Sequence, residues 1–125
     1  MDVQWFSKNL SGVVSIYETN ITLNTVASNH FKNAYSTIIG YDKSNNTLII
    51  KALDKEEAML PKYNASDLHR ISIRPSYGRI NGKGIIRNIN KFFKLDFDKK
   101  KQYKFKCEWD PSHKFLIVYL EKEVE

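Results

Sequence analysis

Cysteine, proline and glycine are scarce in this chain, which also lacks any long apolar run. The lone cysteine, Cys107, cannot form an internal disulfide framework, and this fits a reducing compartment. No basic segment leads into an apolar stretch at the N-terminus, and no window reaches the roughly 18 apolar residues of a membrane span. We therefore expect a cytoplasmic protein without a membrane partner.

Basic side chains are scarce in the first half of the chain only. Residues 1–61 hold five Lys and Arg against six Asp and Glu, whereas residues 62–125 hold 15 against eight. The net charge of +6 therefore belongs to the C-terminal half, and positions 68–95 contain no acidic residue. An uncompensated basic run costs self-repulsion and indicates an anionic partner.

The N-terminal half shows mainly strand signals in a chain whose 125 residues, 42% of them apolar, can bury one core. Residues 12–23 are rich in β-branched side chains, which predicts one long strand or two short ones. Asn24 or Thr25 can cap a short amphipathic helix that ends near Tyr35. Apolar runs at 36–41 and 47–53 flank turn-forming residues and predict a hairpin.

The C-terminal half repeats these signals after a polar stretch, 54–67, in which one helical turn is expected. Residues 68–74 alternate between polar and apolar side chains and predict a strand. Apolar residues at helical spacing predict a helix from Gly84 or Ile85 to Phe93. Runs at 102–109 and 114–120 predict a second hairpin, and the fold class is therefore a strand-rich α+β fold.

The two halves share one order of elements: strand, Asn-containing turn, short helix and hairpin. This order suggests an internal duplication. It divides the chain into an N-terminal strand-helix-hairpin half at 1–56, a linker at 57–67, and a basic C-terminal strand-helix-hairpin half at 68–125.

The segment YGRINGKGIIR, which starts at Tyr77, and the later stretch FKLDF, which starts at Phe93, resemble a known family. The family is that of the AbrB-type transition-state regulators and their two-copy relative MraZ. The resemblance covers most of residues 68–120 and, more faintly, 12–53. It implies a duplicated swapped-hairpin β-barrel, a homodimer with interleaved hairpins, and basic residues around the strand-helix turn that grip DNA.

Basic residues recur every four positions in the predicted helix, at Lys83, Arg87 and Lys91, so they form one cationic stripe. Asn81, Asn88 and Asn90 add amides that can reach base edges or the sugar-phosphate backbone. The candidate nucleic-acid-binding residues are Arg74, Arg79, Asn81, Lys83, Arg87 and Lys91. Arg79, Lys83 and Arg87 are the positions that match the family.

These residues predict a non-enzymatic DNA-binding protein, a transcriptional regulator in which phosphate charge supplies most of the affinity. RNA is an alternative ligand. The stripe is also typical of the solvated face of an amphipathic helix. A second class of function is a protein-interaction or structural module of a mobile element with no nucleic-acid binding. Trp5 and Phe6 precede any clear element, and we expect them to pack in the core rather than in a partner's groove.

An enzymatic function has little support in the sequence. His30, His69 and His113 show no metal-ligand spacing, and Cys107 has no identifiable histidine partner. The glycine-containing turn lacks the Gly-Lys-Ser/Thr ending of a phosphate-binding loop. We therefore expect no catalytic residues, no metal and no cofactor.

Overall fold

The computed structural model describes residues 1–5 and 11–124, in which eight strands and three short α-helices occur. The strands are β1 (Gly12–Tyr17), β2 (Asn20–Asn24), β3 (Ser36–Asp42), β4 (Thr47–Leu53), β5 (Ser72–Ile73), β6 (Tyr77–Asn81), β7 (Gln102–Asp110) and β8 (Phe115–Glu123). The helices are α1 (Thr25–Ser28), α2 (Lys55–Ala58) and α3 (Lys83–Asn90), with 3₁₀ turns at Asn29–Phe31 and Ala65–Asp67. These elements confirm the prediction of a strand-rich α+β fold.

All eight strands form one antiparallel sheet in the order β3-β4-β8-β7-β1-β2-β6-β5. The β7–β8 hairpin therefore lies between β4 and β1 and separates the two hairpins of the N-terminal half. His69, which precedes β5, forms an isolated antiparallel bridge with Thr37 of β3. Its two backbone hydrogen bonds have N···O distances of 2.8 and 2.9 Å. The bridge links the two edge strands, so the sheet curls into a half-barrel.

The concave side of the sheet holds the core. Every second residue of the central strands points inward, as Val14 and Ile16 of β1 and Phe105 of β7 show by being fully buried. The helix α3 adds three buried isoleucines, Ile85, Ile86 and Ile89, to the same cluster.

The two helices that follow β2 and β6 lie at opposite ends of the half-barrel. His30, just after α1, stacks on Trp109 with ring centroids 4.7 Å apart, at the end of β7 that pairs with the start of β1. Gly82, just before α3, donates its backbone N–H to the carbonyl of Thr19 in the β1–β2 turn, at 2.9 Å. Strand β6 runs from one end to the other.

The two long hairpins have turns of the same design. In each, an aspartate at the end of the first strand accepts a hydrogen bond from the backbone N–H of the serine two residues later: Ser44 to Asp42 and Ser112 to Asp110, both at 3.0 Å. The residue before the second strand has positive φ in both turns, +50° at Asn46 and +58° at Lys114.

Several predictions from the sequence are confirmed by these elements. Both hairpins form where they were expected, and residues 12–23 form two short strands instead of one long strand. The helix of the C-terminal half also forms, although it starts at Lys83 and ends at Asn90, earlier than expected. Asn24 caps α1 by accepting a hydrogen bond from the backbone N–H of Ala27 at 3.0 Å. No helix within the described residues is long and apolar enough to cross a membrane.

Three expectations are wrong. The first helix does not reach Tyr35, because after one turn the residues at Asn29–Phe31 tighten into a 3₁₀ turn, in a stretch of poor helix formers. Residues 68–74 form no continuous strand, because His69 pairs with β3 whereas Ser72–Ile73 pairs with β6. Trp5 is 83% exposed and does not pack in the core, while Phe6 lies outside the described residues.

Candidate nucleic-acid interface

The candidate interface is centred on the turn between β6 and α3. Gly82 has φ of +156° and separates the two elements. A Cβ atom added at Gly82 would approach Cδ1 of Ile85 to 3.0 Å, and Ile85 belongs to the buried face of α3. Glycine therefore allows β6 to pass directly into α3 while Ile85 keeps its place in the core.

The exposed face of α3 carries the predicted cationic stripe. Lys83, Arg87 and Lys91 are all exposed, whereas the three isoleucines on the opposite side of the helix are buried. At about 1.5 Å per residue, the stripe is roughly 12 Å long. The amphipathic pattern that predicted the helix thus also orients its basic residues toward solvent.

Strand β6 directs Arg79 and Asn81 outward, since Ile80 between them points into the core. The guanidinium carbon of Arg79 lies 5.0 Å from the centroid of the Tyr77 ring, which holds the arginine against the sheet. Asn81 lies at the end of β6 that leads into α3.

All six predicted side chains are exposed, and none occurs in an ion pair within residues 1–5 and 11–124. The structure brings Asn81, Lys83 and Arg87 together at the α3 end of the half-barrel. Arg74 lies apart, because its backbone N–H donates to the carbonyl of Tyr77 at the opposite end of β6, at 2.8 Å. Asn81 lies four positions after Tyr77 along the strand, or about 13 Å away.

A groove of 250 Å³ borders the basic stripe. It is lined by Lys83 and Arg87 of α3, by Glu18 of the β1–β2 turn and by Phe97. Asn90, which also lines the groove, accepts a hydrogen bond from the backbone N–H of Leu95 through its amide oxygen, at 2.6 Å. Asn90 therefore has a structural role in the loop after α3, and the expectation that it is available to bases is weakened.

Two further basic residues join this surface, and the sequence analysis missed them as binding candidates. Lys104 and Lys106 point outward from β7 between the buried residues Tyr103, Phe105 and Cys107. The alternation of apolar and charged residues in β7 was the available signal. The pairings of β7 with β1, β1 with β2 and β2 with β6 together bring these lysines onto the same face as Arg79.

The three histidines and Cys107 lie in different environments in the described part of the chain. His113 bonds Asp110 through Nδ1 at 2.8 Å, and this contact holds the pKa of the Asp110 carboxyl below its usual range. Burial lowers the pKa of both His30 and His69. Burial also raises the pKa of the Cys107 thiol to about 12, so the nucleophilic thiolate is nearly absent at neutral pH.

Comparison with known proteins returned no matching family model, no matching curated protein and no matching solved structure.

Proposed function

We propose that this protein binds nucleic acid, with duplex DNA as the preferred ligand, through the outward side of β6 and the exposed face of α3, and that it acts as a DNA-binding regulator. The observation that supports this proposal most is the exposure of the five cations Arg74, Arg79, Lys83, Arg87 and Lys91, none of which has an acidic partner in the described residues. Unpaired cations in such a group attract a polyanion and release its counterions on binding.

Each group has a distinct role in the proposed complex. Lys83, Arg87 and Lys91 are spaced by about 6 Å along α3, and they contact successive phosphate groups. Arg79, supported by the Tyr77 ring, contacts the backbone from the sheet. Asn81 lies between the two sets and offers an amide to a base edge.

We also propose that the chain is an internal duplication with the swapped-hairpin arrangement that the AbrB-type resemblance implies. The strand pairings support this. Exchanging β1 with β5, β2 with β6, β3 with β7 and β4 with β8 converts β1–β2 into β5–β6 and β3–β4 into β7–β8, all of which are observed antiparallel pairings. The β1–β7 pairing becomes the contact between β3 and the residues before β5, which is the Thr37–His69 bridge. The pairings β2–β6 and β4–β8 convert into themselves.

The matching turns support the same proposal. The turn after Asp42 and the turn after Asp110 are related by this exchange, and they share the serine contact and the positive φ before the next strand. In this arrangement the second half supplies within one chain the strands that a second subunit supplies in a homodimer.

A charge-reversal variant tests the binding surface. The double substitution Lys83→Glu with Arg87→Glu should abolish duplex binding, because it replaces two phosphate-binding cations by anions in the centre of the stripe. Folding should be preserved, since both side chains are exposed. The measurement is fluorescence anisotropy with a labelled duplex, alongside a thermal melt followed by circular dichroism.

The matched control is Lys32→Glu with Lys55→Glu. It changes the net charge by the same amount at two exposed positions outside the proposed surface. If the control loses binding as completely as the stripe variant, the affinity depends on overall charge and the assigned surface is wrong. Undiminished binding by the stripe variant leads to the same conclusion.

The second candidate function, a protein-interaction module, is favoured by one observation. The outward side of β4 and β8 carries apolar residues, with Ile49 directly opposite Ile117 and with Phe115 and Tyr119 further along β8. All four are partly exposed. Association of two copies through this face would give the homo-oligomer predicted from the sequence. Sedimentation of the wild type and of Ile117→Lys tests it, since a dimer held by this face should dissociate in the variant.

A further inference from the structure

The outward face of the five strands β7, β1, β2, β6 and β5 is polar and basic. Buried and accessible residues alternate along each of the longer strands, so their outward side chains can be assigned from burial. The strand register then shows which outward residues stand side by side, although they are far apart in the sequence.

The middle row of this face crosses all five strands. Lys104 is paired with Ser15, Ser15 with Thr22, Thr22 with Arg79, and Arg79 with Ser72. On one side of this row, Lys106 is paired with Val13 and Asn24 with Tyr77. On the other side, Gln102 is paired with Tyr17 and Asn20 with Asn81. None of these residues is acidic, and the acidic residues nearest to them along the strands are Glu108, which follows Lys106 on the outward side of β7, and Glu18 in the β1–β2 turn.

The cations lie on the two sides of this face and short side chains lie between them. Lys104 and Lys106 stand on β7, whereas Arg79 stands on β6 and Arg74 just beyond β5. Three strand spacings separate Lys104 from Arg79, a distance of about 14 Å between their backbones. The major groove of B-form DNA is about 12 Å wide, so long side chains at this separation can reach the phosphates on both of its sides.

The shape of the sheet fits the same ligand. Because the core lies on the concave side of the half-barrel, the outward face is convex across the strands. The β1–β2 hairpin is the highest part of this convex face and lies between the cations of β7 and those of β6 and Arg74. Its residues Ser15, Thr22 and Asn20 are directed outward. A two-stranded ribbon is one of the elements that the major groove admits.

We infer that a DNA duplex lies against this face with the β1–β2 hairpin in its major groove. Lys104 and Lys106 contact one phosphate strand, and Arg79 and Arg74 contact the other. This inference rests on the proposed nucleic-acid binding and deepens it. It gives a binding role to Arg74, which lies too far from α3 to act with the helical stripe. It also adds two lysines of β7 to the binding surface.

The test is the double substitution Lys104→Gln with Lys106→Gln, compared with Lys32→Gln with Lys55→Gln as control. Removal of two phosphate contacts should reduce the magnitude of the slope of log K against log salt by about 2 and weaken duplex binding roughly 50-fold at about 0.1 M salt. Lys106→Glu alone, at an exposed position, repeats the test should Lys104→Gln disturb the sheet. Binding is measured by anisotropy with one labelled random duplex.

The outcomes separate this inference from the proposed function. Normal binding by the β7 variants, together with loss of binding in Lys83→Glu with Arg87→Glu, would overturn the role of the sheet and leave nucleic-acid binding in place. No binding by the wild type would overturn both. Displacement by a minor-groove ligand such as netropsin, with no displacement by the major-groove ligand methyl green, would overturn the choice of groove.

Discussion

At the scale of single residues, Cys107 shows how burial controls chemistry. The thiol lies inside the sheet, where desolvation and the nearby Glu108 carboxylate raise its pKa to about 12. A Cβ atom added at Gly12 would approach its sulfur to 2.7 Å, so the thiol also fills the space beside β1. Its role is therefore packing.

The first prediction follows from this environment. In the native protein, Cys107 should react with a disulfide reagent such as Ellman's reagent at pH 8 only as fast as the chain unfolds, because little thiolate is present and access is blocked. In denaturant the reaction should be complete within seconds. Rapid labelling of the folded protein, at a rate unaffected by stabilising conditions, would contradict the buried position.

A second prediction concerns His69, whose backbone links the two edges of the sheet. Burial lowers the pKa of its imidazole below the ordinary value of 6.5, with a smaller opposing effect of Asp67. The unfolded chain therefore binds a proton more readily than the folded chain, and the free energy of unfolding should fall as the pH drops below about 6.5. His30 acts in the same direction because its pKa is also lowered by burial.

The measurement is urea denaturation at several pH values between about 7 and 5, above the range in which carboxylates titrate. His69→Gln keeps the backbone bridge and removes the titrating group, so its stability should depend less on pH than that of the wild type. Equal pH dependence in the two proteins would show that His69 is as accessible to protons in the fold as in the unfolded chain.

At the scale of elements, the two halves depend on each other. The N-terminal half contributes the hairpins β1–β2 and β3–β4, but no pairing joins these hairpins directly. Each is joined to strands of the C-terminal half instead, through β1–β7, β2–β6 and β4–β8. An isolated two-stranded hairpin is at best marginally stable in water.

We therefore predict that fragments 1–61 and 62–125 are each unfolded as monomers and that mixing them restores the native β-sheet signal in circular dichroism. The restored complex should have the mass of one copy of each fragment. A fragment 1–61 that folds alone as a monomer would show that the interleaving of the hairpins contributes little to stability.

Local elements were predictable from the sequence because their signals are local. The hairpin turns carry Asp and Ser at the positions that form the turn hydrogen bonds, and α3 shows its isoleucines at helical spacing. The short β5 was not predictable, because residues 68–74 divide their pairing between β3 and β6. The pairing with β3 depends on a contact between Thr37 and His69, which are 32 positions apart in the sequence.

At the scale of the whole molecule, the candidate site was predictable only in part. The cationic stripe of α3 was predictable because its basic residues recur every four positions. Arg79 and Asn81 were predictable because they directly precede the helix in the sequence. The inclusion of Lys104 was not predictable, since it shares a row with Arg79 only through the pairings of β7, β1, β2 and β6. No tight turn connects β7 with β1 or β2 with β6, so the register of these pairs is set by the burial of one face of each strand in the folded sheet.

The whole molecule also has two unlike outer surfaces. The face of β7, β1, β2, β6 and β5 is polar and basic, whereas the outward side of β4 and β8 is largely apolar. Arg79, Lys104 and Lys106 on the basic face have no acidic partner within residues 1–5 and 11–124, and this favours the approach of a polyanion from that side. This separation is the property on which the proposed function depends.

The most direct test of nucleic-acid binding is the affinity of the wild-type protein for a labelled random duplex and for a single strand of the same length, measured across a salt series. We predict tighter binding to the duplex, and a slope of log K against log salt steeper than about −3.5, as expected for four or more phosphate contacts. Absence of binding to either ligand at about 50 mM salt, where phosphate contacts are strong, would contradict the account and leave the basic surface as a solvated face of the fold.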